Sequence, residues 1–349
     1  MTRLADGAGR GHQRHFGEDG RRHPLAGLSA WIITDGKIGM DVQCIGVADA
    51  LGLDYEMKHV TPQGLSRTLA PWAPVARKEG FARPGSAFAP PFPDVAIATG
   101  RLSIPYIRAL GRHARLATYR IVLQDPKTSA RTADLIWVPE HDRRRGVNVV
   151  TTLTAPHSFS QARLASLRSD VPPAIAALPS PRIAVILGGP SGAYRYTEAA
   201  IARLAAALAG LAAEAGSFLV TPSRRTPREV LAAVEQATRS SPRILWDMTG
   251  ENPYPQFLAH ADWLVVPADS VNMTGEACAT GRPVLVFEPD GGSAKFRRFH
   301  EALRRYGATR PLAGTVGRLE PWDYQPLDSA DVIARAIEER WSRRRHMLG

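Results

Sequence analysis

Two hydrophobic patterns alternate along this chain. Short continuous apolar runs, of the kind found in strands buried on both faces, are separated by stretches whose apolar positions recur at helical spacing. In the first half, residues 30–34, 53–60, 94–98, 120–123, 134–138 and 148–152 read as strands. Residues 40–51, with Val42, Ile45, Val47 and Leu51 toward one side, and residues 103–113 read as helices. Residues 61–93 break the alternation. They are rich in Pro, Ala and Arg and read as a surface excursion with little regular structure.

Prolines at 172, 173, 179 and 181 mark a linker, after which the alternation restarts. Residues 182–187 are a strand and Gly188 to Tyr194 a glycine-rich loop. A helix over 197–215 carries Ile201, Leu204, Leu208 and Leu211. Further strands are expected at 217–220 and 243–246, with a helix after Pro227 that runs to Thr238 and a short one near 254–260. The most informative stretch is 261–303: strand, loop, helix, strand, loop, helix. Trp263 to Val266 form the first strand, Asp269 or Ser270 caps the next helix, Glu276 lies on its second turn, and Gly281 ends it. Strands alternating with helices imply parallel, doubly wound sheets. The expected fold is therefore α/β, two Rossmann-like domains with an interdomain cleft. The divisions are a disordered leader (1–27), a first domain (28–176), a second domain (177–312), and a tail (313–349) whose helix returns toward the first domain. On that helix Val332, Ile333, Ile337 and Trp341 are expected to pack, leaving Arg340, Arg343, Arg344 and Arg345 solvated.

Composition narrows the class without choosing a function. The 349 residues are ample for two cores, and the net charge of +11 suits anionic partners: phosphorylated substrates or an anionic membrane. Basic residues without interleaved aromatics argue against a nucleic-acid groove. The two cysteines, Cys44 and Cys278, form neither a metal spacing nor a disulfide framework, so a reducing, cytoplasmic location is expected. No long apolar run spans a bilayer.

Candidate chemistry collects at the carboxyl ends of the strands, the edge where open α/β sheets bind ligands. In the second domain a helix beginning near Ser270, Asn272 and Met273 offers free amides and a dipole to an anion, and Glu276 can reach a ribose. The loop containing Gly189, Ser191 and Tyr194 lets backbone approach a phosphate. Arg224 and Arg225 can clamp a diphosphate. In the first domain Asp35, Asp125 and His141 are rival candidates for a general base, with His157 as a further one. Lys37, Gln43 and Asp142 sit on the same edge, where an acceptor would lie. The opening strand, turn and helix are neither GxGxxG nor a P-loop, so a nucleotide is not expected there.

Six segments in order carry a resemblance: DGKIGMDVQ from Asp35, QDP from Gln124, VPEHD from Val138, ILGGPSGAY from Ile186, SRRTP from Ser223 and PADSVNMTGEA from Pro267. Together they resemble bacterial proteins related to the plant mitochondrial-fission "elongated mitochondria" family, over about residues 29–310. The resemblance implies a GT-B-like architecture and a glycosyltransferase that moves a sugar from a nucleotide-activated donor to an acceptor. It implies no metal and no cofactor beyond that donor. A lipid-linked or envelope-glycan acceptor would place the protein at the inner face of a membrane. Two other functions fit the same fold: a non-enzymatic adaptor, and a nucleotide-sugar epimerase or hydrolase. The resemblance assigns no catalytic base.

Overall fold

The computed structural model describes residues 23–312 and 319–348. Each half of the chain builds one parallel sheet. In the first half the strands are β1 (Ser29–Thr34), β2 (Asp54–His59), β3 (Val95–Thr99), β4 (Tyr119–Leu123), β5 (Leu135–Pro139) and β6 (Val149–Thr152). Their order is β2-β1-β3-β4-β5-β6. The second half contributes β7 (Arg182–Ile186), β8 (Tyr194–Arg195), β9 (Ser217–Thr221), β10 (Arg243–Leu245), β11 (Trp263–Pro267), β12 (Val284–Phe287), β13 (Asp290–Gly291) and β14 (Thr309–Pro311). The order there is β10-β9-β7-β11-β12-β14, with β8 and β13 pairing separately as a short antiparallel ribbon.

Both sheets are covered on both faces, which is why their strands are continuous apolar runs rather than alternating ones. In the first, Ile32, Ile97, Ile121 and Trp137 pack on one side, and Ile33, Ala98, Val122 and Ile136 on the other. The second repeats this with Ala184, Leu219 and Leu264 against Ile183, Val220 and Val265. This is the GT-B-like arrangement expected from the sequence.

Several details depart from the expectation. Residues 61–93 have little regular structure, but they are not merely superficial. Phe81 and Phe88 are buried, and Phe88 stands edge-on to Trp31 at 5.8 Å, so the segment covers one flank of the first core. The expected leader of 1–27 is shorter at its inner end: Leu25 is fully buried in the first domain's core, so the packed chain begins before residue 27; residues 1–22 lie outside the described part. Ahead of the linker prolines lies a helix not expected from the sequence, Gln161–Ser169, capped by Ser160.

The chain crosses between the domains twice. Residues 153–160 lead from β6 to the second domain, and residues 319–328 lead back to the helix Ser329–Leu348. The crossings touch: Thr154 Oγ1 lies 2.6 Å from Ser329 Oγ. The helix Ile38–Leu51 presses on the outgoing one so closely that a Cβ on Gly46 would stand 2.5 Å from the His157 carbonyl oxygen, and only glycine fits. The final helix buries Ile333, Ala334 and Ile337 in the first domain's core, with the Trp341 ring edge-on to Tyr119. Two expectations for this helix are corrected. Val332 is 45% exposed, because the packing face runs through its neighbour Ile333. Arg340 and Arg344 are not free: Arg340 donates to the Val147 carbonyl, and Arg344 pairs with Asp134 at 3.4 Å over the Tyr119 ring.

Candidate nucleotide-binding cleft

The carboxyl edges of the two sheets meet through a few polar contacts between residues distant in sequence. Gln124, at the end of β4, adopts a positive φ of 72° and donates from its amide to Gln43 Oε1 at 3.0 Å. Gln43 donates in turn to Asn272 Oδ1 across the cleft at 3.4 Å. Further along the edge, Lys295 pairs with Asp142 at 3.0 Å, and the His141 ring stands edge-on to Phe299 at 5.7 Å. Thus α/β loops from the first domain dock on the starts of two second-domain helices, Val271–Ala279 and Ala294–Tyr306.

The candidate bases have different surroundings. Asp125 is held by Lys127 at 2.8 Å and Arg144 at 2.5 Å. Although burial opposes it, these donors bring its carboxyl down to about 2, so it is a weak proton acceptor. Asp35 accepts from Lys37 at 2.6 Å with one oxygen, while its Oδ1 is buried without a partner. His141 is pushed down to about 4, first by burial and then by the charge of Lys295. It is therefore neutral at pH 7, with a lone pair to offer. His157 is 3% exposed, packed in the interdomain crossing, and lowered to about 4 by burial. It is a structural residue of the crossing.

On the second domain Ser270 caps the helix Val271–Ala279, accepting from the Met273 amide at 3.3 Å. Met273 itself packs part-buried on the core. Glu276 is 8% exposed, and its carboxylate accepts from the Tyr254 hydroxyl at 2.5 Å. Burial pushes its carboxyl up to about 7, partly offset by Tyr254 and by the charge of Arg163.

The glycine loop is occupied by its own contacts. The Gly189 amide donates to Asp269 Oδ2 at 3.3 Å, and a Cβ on Gly189 would lie 2.0 Å from the Arg225 carbonyl oxygen. Ser191 Oγ accepts the amides of Ala193 and Tyr194. The Tyr194 ring is buried edge-on to Phe296. Arg224 is exposed. Arg225 bonds to the Pro190 carbonyl at 3.1 Å and reaches Asp269 at 3.5 Å.

Sequence reasoning missed three features. The sequence suggests Asp269 only as a cap, yet its fully buried carboxylate accepts from Tyr196 at 2.6 Å as well as from Gly189. Gln124 carries no signal of its role in the local sequence, yet it bonds to Gln43 at the cleft. Lys295, Arg297 and Arg298 follow Gly291, Gly292 and the N-cap Ser293 at a helix start, and that glycine, cap and cation pattern is legible as an anion signature.

Comparison with known proteins places the chain. The model of the family described as "Mitochondrial fission ELM1" matches residues 38–341. The "Mitochondrial fission protein ELM1" of Arabidopsis thaliana is 30% identical over 272 residues, 71% of this chain and 64% of that protein. A protein of Rickettsia prowazekii (strain Madrid E) is 32% identical over 161 residues, 44% of this chain and 45% of its own. The chain thus spans less than two thirds of these relatives. Among solved structures it is similar to MurG of Acinetobacter baumannii, with 14% identity, a TM-score of 0.48, and coverage of 90% of this chain and 92% of that one. It is also similar to the UDP-GlcNAc 2-epimerase of Methanocaldococcus jannaschii, with 11% identity, a TM-score of 0.48, and coverage of 89% and 100%. With the family model covering most of its length, the chain belongs to the mitochondrial fission ELM1 family.

Proposed function

We propose that the protein is a glycosyltransferase that takes a sugar from a nucleoside diphosphate donor. The observation that carries the proposal is the helix Val271–Ala279: its capped start opens on the cleft beside Gln43, and the nearly buried Glu276 sits one turn further in. Amides at such a start favour a diphosphate, and Glu276 accepts hydrogen bonds from ribose hydroxyls. Lys295 and Arg298, with Arg224 and Arg225, supply the positive charge that stabilises the departing diphosphate as the sugar C1–oxygen bond breaks. The acceptor hydroxyl attacks C1 from the first domain's edge, giving its proton to His141 or to the unpartnered oxygen of Asp35. Of these, His141 improves on donor binding: burial is the main reason that its pKa is low, but an anionic diphosphate offsets Lys295 and Arg298, which lower it further. Lys37, Gln43 and Asp142 orient the acceptor.

The test is calorimetric titration with a panel of nucleoside diphosphates and nucleotide sugars, on the wild type and Glu276→Ala. Binding by the wild type and at least roughly tenfold weaker binding by a folded variant are expected, since hydrogen bonds to a charged group contribute about 1.5–3 kcal/mol each. A wild type that binds none of the panel removes the transferase reading.

A second reading has its own support. The amide of Gly189 and the hydroxyl of Ser191 are already engaged within the protein. That suits an adaptor that keeps the fold for its surface. An epimerase or hydrolase would share the donor site and differ in using water or no acceptor.

A further inference from the structure

An unusual surface lies on the first domain, at the sheet's carboxyl edge. After β2 the chain makes the short helix Gly64–Thr68 and a turn that together hold three large apolar side chains outward: Leu65, 78% exposed; Leu69, 56%; and Trp72, 63%. Nothing in local sequence hides them, but they are not on a floppy loop. Pro62, Ala70, Pro71 and Ala73 are buried beneath them. Arg101, just beyond the carboxyl end of β3, clamps the segment by donating to the carbonyls of Thr68 at 3.1 Å and Ala70 at 2.6 Å. Arg108 does the same to Pro71 at 3.1 Å and lies 5.8 Å from the centre of the Trp72 ring. The fold thus spends two arginines on presenting apolar groups to the outside.

Within this stretch of the chain the charge has one sign. Between His59 and Glu79 the sequence contains no Asp or Glu, while Arg67, Arg77 and Lys78 are exposed there. Tryptophan and leucine ringed by arginine and lysine are what the boundary between lipid headgroups and acyl chains accommodates: apolar side chains enter, and cations meet anionic headgroups. A second copy of the chain is a poorer fit. A symmetric contact through this face would bring its cations against their own copies, with no acidic residue in the segment to offset them.

We propose that the face carrying Leu65, Leu69 and Trp72 is the surface by which the protein docks on an anionic lipid bilayer. Its position sets the consequence. The segment follows the carboxyl end of β2, whose His59 is paired in register with Thr34 of β1, and Asp35 follows directly. The docked face therefore lies on the same sheet edge as the cleft's first-domain groups, and an acceptor carried in the membrane would enter from that side. The statement about the acceptor rests on the transferase reading; the lipid contact does not.

The full chain is sedimented with phosphatidylcholine vesicles, with and without phosphatidylglycerol, at low and high salt. Salt-sensitive binding to the phosphatidylglycerol vesicles is expected. Leu65→Ser/Leu69→Ser/Trp72→Ser should weaken it at least roughly tenfold, since three apolar side chains leave the interface. Arg343→Gln/Arg345→Gln, on the final helix, should leave it within about twofold, because cations far from the docked face contribute little. A single-site probe guards against misfolding of the triple variant. Cys44 and Cys278 are buried, so Leu65→Cys can be labelled selectively with an environment-sensitive dye whose emission should shift to the blue on anionic vesicles only. No binding by the wild type at low salt, equal binding by the triple variant, or an unshifted dye overturns the proposal. So does a dimer in vesicle-free solution that the triple substitution dissolves, which would assign the face to a second copy. Because no nucleotide is present, failure here leaves the calorimetric result on donor binding untouched.

Discussion

Two buried carboxylates belong to one short stretch, one before the helix Val271–Ala279 and one inside it; burial raises the pKa of both, and they differ in how many donors meet them. Asp269, just before the helix Val271–Ala279, is surrounded by donors: the Tyr196 hydroxyl, the Gly189 amide and the Arg225 guanidinium. Glu276, inside the helix, has the Tyr254 hydroxyl and little else, and its pKa rises to about 7. A buried charge that is fully hydrogen-bonded fixes structure; one that is partly satisfied keeps capacity for another donor. The difference separates a residue that builds the glycine loop from one with room for a further donor.

Substitutions break that comparison in order of size. Asp269→Ala should be the most damaging, because it strands the part-buried Tyr196 hydroxyl and the buried Gly189 amide. Each costs about 1–3 kcal/mol, so a loss of roughly 2–6 kcal/mol is expected in urea unfolding. A loss below about 1 kcal/mol would mean that Asp269 does not organise the loop.

Glu276→Gln should do the opposite. Folded Glu276 holds its proton up to about pH 7, whereas an unfolded glutamate releases it near 4.5. Between those values the folded state binds more protons, so this group's contribution to stability falls as pH rises and stays low above pH 7. Removing the charge should raise stability at pH 8 by up to about 3 kcal/mol while leaving pH 4.5 nearly unchanged. Urea melts of both proteins at the two pH values decide it: parallel pH dependences would show that Glu276 is not strained by burial.

The histidines act on the acid side. His141 and His157 are both lowered to about 4, against 6.5 unfolded. Their contribution is intact above pH 6.5 and is lost as pH falls through 4, opposing Glu276 between 4.5 and 6.5. With two such groups against one, wild-type stability should fall on balance from pH 6.5 to pH 4.5. His141→Gln should flatten that fall by about 1–2 kcal/mol; an unchanged slope would place His141 in water.

The smallest effect concerns the arginines. Arg224→Gln/Arg225→Gln should narrow the affinity gap between nucleoside di- and monophosphate by about threefold to tenfold, as a paired cation matters most where phosphate oxygens are most numerous. Equal weakening of both ligands, read by titration, would leave these side chains as a diffuse field.

The strands were legible because burial on both faces leaves a continuous apolar run that little else imitates. The same rule hid Phe81 and Phe88: aromatic anchors in a proline-rich stretch have no period to betray them. The helix Gln161–Ser169 escaped because only Leu164 on it is buried. In the cleft, residue types at strand ends could be named but not their pairings. Gln43, Gln124 and Asn272 are far apart in the chain, and nothing local says that they meet. Asp269 and Ser270 are adjacent and both are good caps, so only the observed bonds separate the capping serine from the loop-building aspartate.

The paired crossings at Thr154 and Ser329 have a mechanical meaning. Bodies joined by one strand can swing and twist about any axis; two tethers side by side, joined by a 2.6 Å bond, leave rotation about the line through both as the soft coordinate. Spin labels placed on the two domains should therefore show a spread of separations at the rim opposite the crossings and a narrow one beside them; equal spreads would contradict it. Motion of that kind lets the docking loops around Gln43 and Asp142 part and return to the same partners, so the register between the two sheet edges survives each opening, as it does between the leaves of a door.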